Sequence, residues 1–151
     1  MPRMTNPAPT QEIADRLERE IPGSVAERTD QHIAVKPEAL LAVASVLKNT
    51  PELDFDYLNW ATAVDYSSHF MIVYNVVSLK NNLSLILKAR CDNRQDPVVP
   101  SLTGLWKGAN LQEREIFDLM GIRFENHPNM KRVFLWDGFT GHPLRKDFAL
   151  K

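Results

Sequence analysis

Apolar residues recur at helical spacing at Ile13, Leu17 and Ile21, and Thr10 stands where a cap belongs. This predicts a helix from Thr10 to the Pro22-Gly23 break. Two short strands, 25–28 and 32–35, then flank the polar turn Thr29-Asp30-Gln31. Pro37 suits the first turn of a second helix, with Leu40, Leu41, Ala44 and Leu47 on one face and Asn49 and Pro51 closing it. The period changes in the middle of the chain. Segments 58–65, 70–79 and 83–90 are rich in aliphatic and aromatic residues and are separated by Ser67-Ser68-His69 and Lys80-Asn81-Asn82. They read as three strands in hairpin order. In the last of them Leu83, Leu85 and Leu87 face one way and Ser84, Ile86 and Lys88 the other, the pattern of a sheet with one buried face. Helix, hairpin, helix and three strands predict an α+β fold of two layers, with helices packed on a mostly antiparallel sheet.

From Asp92 onward regular patterning fades. Asp96 to Pro100 is a connection, Ser101 can cap a short turn through Trp106, and Gly108 breaks it. Pro128, Gly138, Gly141 and Pro143 then fall too close together for a long helix, so the end of the chain is expected to be extended and irregular. The chain thus divides into a flexible lead (1–9), an α+β core (10–92) and a C-terminal helix with an extended interface segment (93–151). Phe124, Phe134, Trp136, Phe139 and Phe148 make that segment too aromatic for disorder, which points to a surface laid on a partner.

The helix at the head of this segment lies in LQEREIFDLMGIRFENHP, from Leu111. Asn110 and Glu113 have the spacing of a capping box, and Ile116, Phe117 and Met120 form an apolar stripe. Gly121 can take the left-handed conformation that ends a helix, with Ile122 against Phe117 in a Schellman arrangement. Arg114 and Asp118, four apart, would pair on the surface. Glu113 shares the face of Ile116, Phe117 and Met120, so it needs a partner if that face is buried.

Composition narrows the function. With 18 Lys+Arg against 19 Asp+Glu there is no global basic field for nucleic acid. The start of the chain shows no apolar run of signal-peptide length, and 39–47 is far short of a membrane span. One cysteine, Cys91, excludes an internal disulfide and a four-thiolate cluster. There is no GxGxxG, no GxxxxGK[ST], no HExxH and no nucleophile-elbow sequence. Two weak cation candidates stand in the chain: His127 with His142 and Asp118, better read as turn residues, and the acidic loop Glu52, Asp54, Asp56. Between Arg123 and Lys151 there are six Lys/Arg and three Asp/Glu, a local surplus that would suit an acidic surface on another protein of an assembly.

The residues Glu113-Arg114-Glu115, Asp118, Gly121, His127-Pro128, Arg132 and the run Pro143-Leu144-Arg145-Lys146-Asp147 together resemble the signature of the C-type subunits of respiratory complex I, the proton-translocating NADH:quinone oxidoreductase. The chloroplast and cyanobacterial counterparts are the J-type subunits. The likeness extends to Phe55-Asp56-Tyr57-Leu58, Val64-Asp65-Tyr66 and the strand at 70–79, and so to most of residues 10–148. Leu111, Met120 and Asn126 depart from it where an aromatic residue, Phe and Gly are frequent. The resemblance implies a cofactor-free subunit of the hydrophilic arm, with FMN, iron–sulfur clusters and quinone held by other subunits. It implies packing against the D-type subunit of the quinone site and its B- and I-type neighbours, peripheral to the cytoplasmic side of a bacterial inner membrane. The signature residues would hold the fold and its interfaces, and none of them would be catalytic. The equivalent subunit of a ferredoxin-, F420- or hydrogenase-linked membrane complex is the alternative within the family. A stand-alone metalloenzyme using His127 and His142 is the alternative outside it.

Overall fold

The computed structural model describes residues 5–149. A six-stranded sheet is built from β1 (Asn6–Pro7), β2 (Val25–Arg28), β3 (His32–Val35), β4 (Tyr57–Asp65), β5 (Phe70–Ser78) and β6 (Leu83–Cys91) in the order β2-β3-β6-β5-β4, with β1 also on β6. The hairpins β2–β3, β4–β5 and β5–β6 are antiparallel, while β1 and β3 run parallel to β6. The predicted α+β class holds. The described part of the expected lead is paired: Asn6 N–H donates to Asn82 O and Ala8 N–H to Ser84 O, and Ala8 is buried.

Helices α1 (Thr10–Glu20) and α2 (Leu40–Asn49) cover one face of the sheet. Ile13, Ala14 and Leu17 from the first, and Leu40, Val43, Ala44 and Leu47 from the second, join Ile72, Tyr74, Val76, Leu85 and Leu87 in a single core. Burying such aliphatic side chains is worth about 1.5–3 kcal/mol each, which fixes the strand register that keeps them inward. Three expectations need correction. Thr10 is the first helical residue rather than the cap, because its hydroxyl donates to Thr29 O at 2.5 Å and ties the helix to the β2–β3 turn. Leu41 is exposed, and Val43 takes the inward position three residues after Leu40. Pro37, expected in the first turn of the second helix, instead opens a separate 3₁₀ turn, Pro37–Ala39, just before α2.

The chain then leaves the sheet. Strand β7 (Val98–Pro100) pairs in parallel with β8 (Arg123–Glu125), and helix α3 (Ala109–Met120) connects them and packs on β4. Trp106, buried in the turn before α3, donates from Nε1 to Phe55 O at 3.0 Å and binds that turn to the entry of β4. Gln112 on α3 accepts from the Ala61 N–H, so α3 covers part of the free edge of β4.

Candidate functional site

Helix α3 carries four of the signature's charged positions, and three of them, Glu113, Arg114 and Asp118, are placed differently from the capping and pairing expectations. The helix begins at Ala109 after Gly108, with no side-chain cap. Glu113 points inward and is fully buried, accepting from Ser101 Oγ at 2.6 Å, Leu102 N–H at 2.9 Å and Thr103 Oγ1 at 3.3 Å. The turn folded over the helix offers enclosed donors that an exposed box would lack. The need for a buried partner, evident from the apolar face it shares, is met there. Burial pushes the Glu113 carboxyl above its ordinary range, and these hydrogen bonds offset only part of that rise.

Arg114 does not meet Asp118. Its guanidinium donates to the carbonyls of Lys131 and Arg132, at 3.0 and 3.2 Å, and so holds the chain after His127-Pro128 against the helix. Asp118 is fully buried and is the hub of the region. Its Oδ1 receives Arg132 Nη1 at 2.8 Å, and its Oδ2 receives three consecutive backbone N–H groups, Val133 at 3.0 Å, Phe134 at 2.7 Å and Leu135 at 3.0 Å. Burial alone would raise this carboxyl. The backbone donors and Arg132 outweigh it and hold the group below its usual range.

The C-terminal end of α3 is closed by the same tail. A helix leaves its last four carbonyls without internal partners. Here Phe117 O accepts from Gly121 N–H at 2.8 Å, and Asp118 O from Arg132 Nη1 at 3.1 Å and His142 Nδ1 at 3.0 Å. Leu119 O accepts from Leu144 N–H at 2.8 Å and Met120 O from Arg145 Nη1 at 3.5 Å. Two guanidinium groups therefore sit at the negative end of the helix dipole. Gly121 has φ +75° and makes the single bond of the simpler left-handed cap rather than the Schellman pair. A Cβ at Gly121 would also lie 2.7 Å from the His142 ring, so the glycine admits both the turn and the histidine. Asn126 likewise takes a left-handed φ of +68°, a conformation its short polar side chain tolerates, in the turn before His127-Pro128.

A second cluster pins the last residues to the sheet. Asp65, at the end of β4, receives both Nη atoms of Arg94 at 2.5 and 3.1 Å, together with the N–H groups of Ser67 and Lys146. Arg145 forms a forked pair with Asp147, both contacts at 2.8 Å, and Arg94 reaches the same carboxylate at 3.3 Å. Both guanidinium groups lie over the buried Phe70 ring, at 4.6 and 5.0 Å from its centre. The Arg94 hydrogen bond holds Asp65 far below the ordinary carboxyl range, and Arg145 holds Asp147 down at about 2. Sequence reading missed Arg94 and Thr103 and gave Ser101 only as a cap, because each finds its carboxylate only through the fold.

The structure therefore gathers Asp118, Gly121, Arg132, Pro143, Leu144 and Arg145 around the end of α3, with Lys146 and Asp147 at the Asp65 cluster. Glu113 lies one turn away in its own pocket of donors, and Glu115 and Pro128 enter neither cluster. His127 Nε2 lies 3.0 Å from Asn110 O while His142 serves Asp118 O, so the two histidines face different carbonyls. No group of three His, Cys, Asp or Glu among the described residues could hold a metal ion. Of the cations on the tail, Arg123, Arg132 and Arg145 pair with Asp96, Asp118 and Asp147.

Fold and site together define an α+β module closed by its own C-terminal segment, which is fastened across a helix end through buried carboxylates. The model of the respiratory-chain NADH dehydrogenase 30 Kd subunit matches residues 33–151, and the chain belongs to that family. Among curated relatives, the C subunit of the NADH-quinone oxidoreductase of Roseiflexus sp. (strain RS-1) is 41% identical over 145 residues, 91% of this chain and 83% of that one. The protein of the same name from Moorella thermoacetica is 46% identical over 121 residues, covering 79% and 80%. Among solved structures, a chain from the membrane-bound sulfane sulfur reductase (MBS), an archaeal respiratory membrane complex, superposes with TM-score 0.74. It is 21% identical and the match covers 93% of this chain and 85% of that one, a likeness of fold. No described helix is long and apolar enough to cross a membrane.

Proposed function

We propose that this chain is a cofactor-free, non-catalytic subunit of the hydrophilic arm of an NADH:quinone oxidoreductase. It packs against the D-type subunit of the quinone site, with B- and I-type subunits as neighbours, peripheral to the cytoplasmic side of the membrane. Other subunits carry electrons from NADH through FMN and iron–sulfur clusters to quinone, and the complex couples that flow to proton translocation. Family membership at about 40% identity supports the assembly.

The observation that carries the structural role is the saturation of two signature carboxylates, Asp118 and Glu113. Asp118 accepts from four donors with its carboxylate oxygens and Glu113 from three, all within the chain. A general acid or base needs a free position within hydrogen-bond reach of a substrate proton. Both groups instead serve to order the backbone that a neighbour would contact. The experiment is a tagged isolation from gently solubilised membranes with mass spectrometry of the co-purifying chains. Recovery of D-, B- and I-type subunits together with the NADH-oxidising flavoprotein is expected. Recovery of the first three without the flavoprotein would move the assignment to a complex with another electron donor, and recovery of the chain alone would refute a role within a complex.

A further inference from the structure

Phe134 and Trp136 are the most exposed aromatic rings of the described chain, at 61% and 70%, yet their loop is among its most constrained. Three consecutive N–H groups, at 133, 134 and 135, are fixed on one carboxylate oxygen of Asp118. The next turn is closed by Phe139 N–H on Trp136 O at 2.9 Å, and Arg132 donates to Phe139 O and Gly141 O at 3.2 and 2.8 Å. The indole lies on Gly138 so closely that a Cβ there would stand 2.0 Å from the ring. A surface left in water gains nothing by holding two large rings with so many bonds. Ordering them in advance lowers the entropic cost of docking.

Resting on the assembly role proposed above, we infer that the Phe134–Trp136 loop is a preformed anchor that enters an apolar pocket on another subunit of the complex. Rings of this kind bury about 150–250 Å² each, so the two offer roughly 300 Å² at their observed exposure. Even with Val133 and Leu144 counted the patch reaches roughly 450 Å², against about 800 Å² per partner in a stable interface. A second copy of this chain bound through the loop alone would bury too little. The loop has instead the size and composition of a hot spot inside a wider contact. Lys131 on one side and Asp137 on the other enter no ion pair with another described residue. The partner's pocket is therefore apolar at its centre, with a carboxylate on the Lys131 side and a cation on the Asp137 side, an order that fixes register.

The test places Trp136→Ala, Phe134→Ala or Gly138→Ala in the full chain, each co-expressed with a differently tagged wild-type copy. The ratio of the two tags in isolated complex is measured against their ratio in the total cell extract. Each variant is expected to melt, as the isolated chain, within a few degrees of wild type. Occupancy of the complex should fall roughly thirtyfold for Trp136→Ala, the scale of a hot-spot truncation, and measurably for the other two. A photo-crosslinker at position 136 should label a partner peptide rich in apolar residues with a nearby Asp or Glu. Equal occupancy for Trp136→Ala overturns the anchor while leaving the assembly role standing, and unchanged occupancy for Gly138→Ala overturns its preformed orientation. Crosslinking to a second copy overturns the choice of partner. Wild-type chain recovered without other subunits would sink the assembly role itself.

Discussion

Replacing Asp118 by Asn keeps the shape of the side chain and removes its charge. The native carboxylate satisfies three backbone N–H groups on one oxygen and Arg132 on the other. An amide has one acceptor oxygen, so its NH₂ must face either the three N–H groups or the guanidinium, and donors then oppose donors. The Arg132 side chain is only 12% exposed and Asp118 not at all, so the arginine would be left as a largely buried charge without its counter-ion. Breaking a buried pair from one side costs about 3–5 kcal/mol. Some relaxation toward solvent at Arg132 places the expected loss at about 3 kcal/mol, a large part of the ~5–15 kcal/mol that holds a domain. Urea unfolding of Asp118→Asn, Arg132→Met and the double variant would measure both the loss and the coupling between the two residues. The single change at 118 should lower stability by about 3 kcal/mol, with a coupling of at least ~1.5 kcal/mol on the scale seen for residues in one network. A loss below ~1 kcal/mol with coupling near zero would refute the view that this pair fastens the tail.

Glu113→Gln should behave oppositely, because burial raises the Glu113 pKa and its charge is a cost at neutral pH. Gln has one acceptor oxygen, which can keep the Leu102 N–H, while its NH₂ donates to Ser101 Oγ, a hydroxyl free to turn its own proton away. Stability at pH 7 is therefore expected to be unchanged or up to ~1 kcal/mol higher by urea midpoint, and a loss above ~2 kcal/mol would contradict the assignment. The pH dependence follows from the signs. Asp118, Asp65 and Asp147 have lowered folded pKa values, so their stabilisation is present above the unfolded carboxyl value near ~3.9 and lost as pH falls through the folded values, about 2 for Asp147. Glu113 contributes in reverse: its stabilisation is present below ~4.3 and lost as pH rises through its raised folded value, so Glu113→Gln should flatten the stability profile just above that pH. Gly121→Ala combines strain at φ +75° with a 2.7 Å approach to His142, and should cost about 2 kcal/mol or more in thermal or urea unfolding. An effect below ~0.5 kcal/mol would show that the cap is not needed there.

The sheet was legible in the sequence because its signals are local. The strand at 83–91 alternates, and its neighbours are bounded by polar turns such as Ser67-Ser68-His69. The two parallel pairings of β6, with β1 and β3, were not legible, since no local pattern specifies a partner far along the chain. Glu113 shows where sequence reasoning reaches its limit. Its position on an apolar face announced a buried partner, but the capping-box spacing pointed to Asn110, and only the fold brings Ser101 and Leu102 over it. Asp118 was read with Arg114 for the same reason, helical spacing being visible and the return of the chain at 132 not. The family resemblance singled out residues that the fold brings together at the end of α3, without indicating that they bind one another. Their mutual contacts explain why such widely spaced positions, from Asp118 to Arg145, form one set.

Within the single chain, the signature residues fasten the C-terminal segment onto α3. Amide hydrogen exchange on the purified full-length protein tests this at named positions. The N–H groups of Val133, Phe134 and Leu135 on Asp118, of Leu144 on Leu119 O, and of Lys146 on Asp65 are the probes. Protection is expected at all five in wild type, with loss at 133–135 and 144 in Asp118→Asn while the β5–β6 amides stay protected. Free exchange at these five amides in the wild-type chain would mean that the tail takes its form only on a partner, and the fastening within one chain would be disproved.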